Sequence, residues 1–167
     1  VKKTFLSRLK ELALYIVLGL VIVAGVDWYR SQDMPKDVAM DFAVQTMDGR
    51  VVNINQLSQE QPVVIYFWAT WCGACKFVSP TVNWLSDHYT VVAISGSSGA
   101  DQRVKAFLQQ KGYQFDNIND PNGGLFKQWG ISLTPTIFVV KDGEVASVTT
   151  GITTPPGLLA RIWLAQI

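Results

Sequence analysis

Cysteine and histidine are scarce in this chain of 167 residues, which holds two of the first, Cys72 and Cys75, and one of the second, His88. A framework of structural disulfides needs more cysteines or a longer loop between them, and a tetrahedral zinc site needs more ligands, so no metal site is expected. A haem attachment needs histidine after the second cysteine, where Lys76 stands. A peroxidatic site needs threonine three positions before its nucleophile; Ala69 occupies that place and Thr70 is out of register. Net charge is also small: 14 Lys and Arg against 13 Asp and Glu leave +1, which gives no sign of nucleic-acid binding. There is no internal repeat and no low-complexity tract. The loop Ser95-Gly96-Ser97-Ser98-Gly99 looks like a phosphate cradle but lacks the lysine and spacing of a P-loop, and reads as a turn.

What is present is Trp71-Cys72-Gly73-Ala74-Cys75, placed between a strand and a helix. Val63-Val64-Ile65-Tyr66-Phe67-Trp68 has no charge and no alternation, so it reads as a strand covered on both faces. The helix is expected from about Gly73 to Ser86, with Phe77, Val78, Thr81, Val82 and Leu85 at helical spacing and Pro80 kinking it. Cys72 then sits at a helix N-terminus, where unpaired N–H groups and the helix dipole favour an anion. That lowers a thiol pKa from ~8.5 toward neutral or below and makes Cys72 the candidate nucleophile. Cys75, one turn further in, is the candidate resolving thiol, and the pair is a candidate redox-active disulfide. Gly73 and Ala74 are the candidate tuning residues between them. Two cysteines that merely pack would be the bland alternative.

The N-terminal end has a different character. Residues 1–30 hold five basic and two acidic groups, while residues 31–167 hold nine and eleven. Leu12 to Val26 is fifteen residues without a charge. At ~1.5 Å per residue it covers ~22 Å, and flanking Trp28, Tyr29, Arg8 and Lys10 supply the rest of a ~30 Å hydrocarbon core. Lys2, Lys3, Arg8 and Lys10 precede it and predict a cytoplasmic N-terminal side. Residues 1–30 are thus read as a basic end and membrane anchor, 31–37 as a linker and 38–167 as the folded domain. Val23-Ala24-Gly25 leaves a cleaved signal peptide as the alternative. In either case the folded domain is exported, with the bacterial inner membrane and periplasm as the expected location.

Within the domain, Val91 to Ile94 reads as a second buried strand. Asp101 is expected to cap a helix to about Lys111, with Val104, Phe107 and Leu108 inward. Tyr113 to Ile118 reads as extended, Ile137–Val140 with Val145–Thr149 as a hairpin, and Pro155-Pro156 as the start of a last helix carrying Leu158, Leu159, Ile162 and Trp163. Alternating strands and helices favour an α/β sheet with helices on both faces. His88 reads as a solvated residue near the end of the cysteine helix.

Phe67-Trp68-Ala69-Thr70-Trp71-Cys72-Gly73-Ala74-Cys75-Lys76 resembles the active-site signature of the thioredoxin superfamily, and Thr134-Pro135-Thr136 resembles its cis-proline segment. Lys141-Asp142-Gly143-Glu144-Val145 looks like the last hairpin turn, and Gly151 matches the small residue beside the substrate groove. The resemblance covers residues 38–167. It is strongest to the membrane-anchored TlpA-like branch, including copper-sensitivity suppressor proteins. The marks of that branch are an added hairpin (Asp41–Val44 and Val51–Ile54 around Asp48-Gly49) and the stretches Asn119-Asp120-Pro121 and Leu125 to Gly130. The resemblance implies a thioredoxin-like α/β fold with an added N-terminal hairpin, preceded by one transmembrane helix. It also implies a periplasmic thiol–disulfide oxidoreductase without a cofactor, acting on exported protein thiols or disulfides, often in cytochrome c maturation or copper handling. Substrate is expected against Trp71, Thr134, Pro135 and Gly151, with Thr134 pairing through its backbone like an added strand. Tyr66 stands where thioredoxins carry a buried aspartate, and Val78 where some TlpA-like reductants carry a glutamate. That absence implies another proton route to Cys75, through water, and slower resolution. The reducing direction is favoured, fed by a membrane electron donor of the disulfide-reductase type. The alternatives are a periplasmic dithiol oxidant and a Cu(I)-binding or copper-tolerance protein using both thiolates.

Overall fold

The computed structural model describes residues 5–31 and 43–167. The chain divides into two units, Val1–Asp33 and Met34–Ile167. The first is represented by helix α1 (Phe5–Ser31). It contains the uncharged stretch, and Leu12, Leu14, Val17, Leu18, Val21 and Ile22 are all exposed on it. The side chains of Ile16, Leu20, Val23, Ala24, Val26, Trp28 and Tyr29 lie outside the described residues, as do Lys2, Lys3 and most of the expected linker. Among the described residues no helix is long and apolar enough to cross a membrane.

The second unit begins with the expected hairpin, β1 (Ala43–Gln45) antiparallel to β2 (Val51–Asn53); Asp41 and Phe42 lie outside the described residues. The second arm ends sooner than the sequence suggests, because Ile54 opens a short helix, α2 (Ile54–Glu60). Asn53 caps it by accepting the Gln56 N–H at 3.0 Å. Next come β3 (Val63–Trp68), α3 (Cys75–Ser86), β4 (Thr90–Gly96), α4 (Asp101–Lys111), β5 (Asp116–Asp120), α5 (Gly124–Gln128), β6 (Thr136–Lys141), β7 (Glu144–Thr150) and α6 (Pro155–Leu164). The five-stranded sheet has the order β5-β4-β3-β6-β7. β3 runs parallel to β4 and antiparallel to β6.

All six residues of β3 are buried, as its unbroken apolar run requires. Their side chains alternate. Val64, Tyr66 and Trp68 face Val78, Val82 and Leu85 of α3, Val104 of α4, and Leu158 and Ile162 of α6. Val63, Ile65 and Phe67 face the other way, onto Ile54 of α2, Phe126 of α5, and Trp129. The hairpin closes one edge of the sheet: Met47 N–H donates to the Asn117 carbonyl at 2.8 Å, and Arg50 pairs with both Asp48 and Asp116. That occupies an edge strand that would otherwise present unpaired groups. Hydrogen bonding from the Thr46 hydroxyl, then from Arg50, holds the Asp48 carboxyl down at about 2.

Several expectations need correcting. The cysteine helix starts at Cys75, not Gly73, and Phe77 points outward, 71% exposed. Trp163 likewise lies on the outer face of α6, 61% exposed. Asp101 is not a side-chain cap for α4; Ala100 occupies that position, and the Asp101 carboxylate instead accepts a hydrogen bond from Asn119 at 2.8 Å. The extended piece after Tyr113 forms strand only from Asp116. The turn between β6 and β7 is as expected, with Asp142 and Gly143 both at positive φ.

Candidate active site

Strand β3 ends at Trp68, and the chain turns through Ala69–Ala74 before α3 begins. The turn is tightened by the Cys72 N–H, which donates to the Ala69 carbonyl at 3.1 Å. Cys72 and Cys75 are joined in a disulfide. Both are buried, Cys72 to 5% exposure and Cys75 to 2%. The Cys75 N–H donates to Cys72 Sγ at 3.1 Å. Cys72 thus lies just before the first turn of α3, with one of the helix's free amides aimed at its sulfur, and that geometry stabilises an anion there once the bridge opens. Gly73 is exposed and a Cβ there would meet nothing, so the backbone does not demand glycine. Ala74 is half-buried and takes the N-cap position in helical conformation.

Three further loops reach the same end of the sheet. Ser95 pairs with Trp68 across β4, and Thr136 pairs with Phe67 across β6. This register sets Thr134 and Pro135, joined by a cis peptide bond, beside the turn that carries Cys72. Thr150 pairs with Thr136, and the Gly151 N–H then donates to the Pro135 carbonyl at 2.8 Å. Pro135 is buried, while Thr134 and Gly151 are half-buried. Trp71 projects outward at 65% exposure, its Nε1–H donating to the Ser97 carbonyl at 3.0 Å. The Thr70 N–H donates to Ser98 Oγ at 3.0 Å, and Ser98 in turn donates to the Gly96 carbonyl at 3.0 Å. The segment 96–98, read from sequence as a plain turn, therefore braces the cysteine loop. Its contacts lie 26 and 28 residues away in the chain, and no local pattern announces them.

Beneath the disulfide is a cavity of about 80 Å³, bounded by Trp68, Ala69, Cys72, Cys75, Ser79 and Tyr113, with Lys76, Phe107 and Lys111 at its margin. Tyr66 is fully buried next to it, and its hydroxyl lies 2.9 Å from Ser79 Oγ. Burial pushes the Tyr66 phenol well above its ordinary range, more than the Ser79 hydrogen bond pulls it back. In the sequence Tyr66 reads as part of the buried strand and as the place of a missing acid, and Ser79 belongs to no motif. The spacing could have found it, because Ser79 follows Cys75 by four residues and so shares its helix face. His88 is exposed beyond the end of α3, its ring tilted against Trp84 with centroids 5.0 Å apart. Among the described residues no cluster of three or more His, Cys, Asp or Glu could hold a metal ion.

Set against known proteins, residues 35–148 match the AhpC/TSA family. A thioredoxin-like protein of Haemophilus influenzae is 34% identical over 163 residues, spanning 96% of this chain and 97% of that protein. The thiol-disulfide oxidoreductase ResA of Bacillus cereus is 27% identical over 151 residues, 81% of this chain and 86% of its own. Among solved structures, StoA from Bacillus subtilis superposes with a TM-score of 0.64 at 25% identity, covering 72% of this chain and 94% of that one.

Proposed function

Because this chain belongs to the AhpC/TSA family and is a thioredoxin-like thiol–disulfide oxidoreductase, we propose that it reduces disulfides of exported proteins from a membrane tether. The observation that carries this reading is the Cys72–Cys75 bridge at the entry to α3, with the Cys75 amide aimed at Cys72 Sγ. In the reduced enzyme the Cys72 thiolate attacks a substrate disulfide. One substrate sulfur leaves as a thiolate, and the other is bonded to Cys72. Cys75 then loses its proton and attacks Cys72 Sγ; the mixed disulfide breaks, the second substrate thiolate departs, and the two electrons have passed to the substrate. Trp71 offers the approaching chain an exposed apolar face, while Thr134, Pro135 and Gly151 form the groove beside it, where Thr134 pairs with an extended segment. Gly73 and Ala74 tune the couple.

A reduction potential measured against glutathione tests the direction. The reductant reading expects a value well below ~−180 mV, and a value well above it would make the protein an oxidant. Stoichiometric Cu(I) binding without reduction of insulin disulfides would instead favour the copper-binding reading.

The tether is proposed from the uncharged run Leu12–Val26 in the sequence, its basic and aromatic flanks, and the exposed apolar side chains along α1. On this proposal the basic end is cytoplasmic, the catalytic domain is periplasmic, and electrons come from a disulfide reductase in the same inner membrane. Cytochrome c maturation or copper-handling thiols are the client classes. The full chain expressed in a bacterium should remain in the pellet after alkaline carbonate extraction. Release into the supernatant would remove the anchor from the proposal.

A further inference from the structure

The resolving step has an electrostatic problem. Cys75 must become a thiolate at 2% exposure, and burial in apolar surroundings raises a thiol's pKa. No carboxylate lines the cavity beneath it. What does line it, one turn along α3 on the same face, is the Ser79 hydroxyl, 2.9 Å from the hydroxyl of Tyr66. We infer that Tyr66 and Ser79 form a hydroxyl relay that stabilises the Cys75 thiolate by hydrogen bonding, in place of a carboxylate that would remove its proton. The inference rests on Cys72 being the nucleophile and Cys75 the resolving thiol.

The relay takes Tyr66 as the donor to Ser79 Oγ, one of the two directions open to this pair of hydroxyls. Burial keeps the Tyr66 phenol protonated across the physiological range, so its proton is available for that bond. Donating to Ser79 Oγ, it frees the serine proton to point into the cavity, toward the sulfur four residues back. Tyr113, its phenol also raised by burial, lines the same cavity from the loop before β5. The charged groups at the cavity are Lys76 of α3 and Lys111 of α4, both cationic, and both favour an anion inside. The cavity has room for water, which needs ~10–15 Å³. The Cys75 proton passes to such a water and on to solvent between the lysines. The sulfur left behind attacks Cys72 Sγ, a Cys72–Cys75 bond replaces the Cys72–substrate bond, and the departing substrate thiolate is protonated from solvent. The electrons stay within the three sulfurs. Ser79 lines the same cavity as Cys75 and is the hydroxyl that would reach its sulfur there, whereas Tyr66 is a positioning residue that acts through it.

The reaction of the reduced full-length protein with an aryl disulfide that releases coloured thiolate separates the two steps. The first release reports attack by Cys72 and the second reports displacement by Cys75. Tyr66→Phe and Ser79→Ala should each slow the second release about ten-fold at neutral pH and move its pH midpoint up by about one unit, since one unit is a factor of ten in thiolate. The first release should keep its rate and pH profile, and Ser79→Thr should restore the second. Tyr66→Phe keeps the ring that stacks on Trp68 and meets Phe115 edge-on, so folding is not the variable. An unchanged midpoint of the second release in both variants would overturn the relay. A single release from the wild-type protein would instead overturn the assignment of the two cysteines on which the relay rests.

Discussion

Cys75→Ser is expected to stop the reaction halfway, with the natural substrate bonded to Cys72. Cys72→Ser is expected to abolish exchange and capture nothing. The asymmetry comes from the position of each sulfur relative to α3 and to the surface. Cys72 precedes the helix, accepts the Cys75 amide hydrogen at 3.1 Å between heavy atoms, and is flanked by exposed Trp71 and Gly73. It is held where an incoming disulfide can reach it and where an anion is favoured. Cys75 lies inside the helix and is the more buried of the two, 2% exposed against 5%, although both residues belong to one core cluster and line the same cavity. It can strike only what is already bonded to its neighbour. Serine at position 75 is a far poorer nucleophile toward sulfur, so the mixed disulfide persists and turnover falls by orders of magnitude. Intact-mass measurement after exposure of each variant to periplasmic extract reads the outcome directly. The Cys75→Ser protein should gain a reducible adduct and the Cys72→Ser protein none. Equal trapping by both variants would mean that either sulfur can attack, and the division of roles would be wrong.

What the sequence made legible was whatever depends on near neighbours. The six-residue apolar run of β3 demanded cover on both faces and received it. Pro155-Pro156 marked the start of α6, where Thr154 caps by accepting the Gly157 N–H. The two cysteines between strand and helix announced the chemistry. What escaped was non-local or ambiguous in period. Phe77 and Trp163 fit an apolar helical stripe as well as Val78 and Leu158 do, and only the position of the sheet decides which side is inside. Helix α2 is one of two short helices, and it offered Ile54 and Leu57 as its only apolar residues, too few for a periodic signal. The brace from Ser97 and Ser98 to the cysteine loop requires β3 and β4 to be neighbours, which no stretch of sequence states. Tyr66 and Ser79 were half legible. The sequence showed which acids are missing, but the hydrogen bond that replaces them joins a strand to a helix 13 residues away.

Trp68→Ala is expected to be the most damaging substitution outside the cysteines, lowering stability by ~3–5 kcal/mol, a large share of the ~5–15 kcal/mol a domain of this size has to lose. Trp68 is 1% exposed and touches three other rings, with Tyr66, Phe107 and Phe115 at centroid distances of 6.3, 5.6 and 5.9 Å. Its Nε1–H donates to Asn117 Oδ1 at 2.9 Å, and Asn117 passes the network on to Ser95 at 3.0 Å. A second buried tryptophan provides the control. Trp129, on the opposite face of the sheet, is fully buried, and its Nε1 has no hydrogen-bond partner among the described residues. Replacing each with phenylalanine removes similar volume, but only at Trp68 does it strand a buried acceptor, a loss of ~1–3 kcal/mol beyond the packing term. Trp68→Phe should therefore unfold at lower denaturant concentration than Trp129→Phe, with equal m-values. If the two variants unfold together, the Trp68–Asn117 bond contributes nothing net. The floor of the active site would then be held by ring packing alone, and Tyr66 would owe its placement over Ser79 to the stacked rings and not to the polar network behind them.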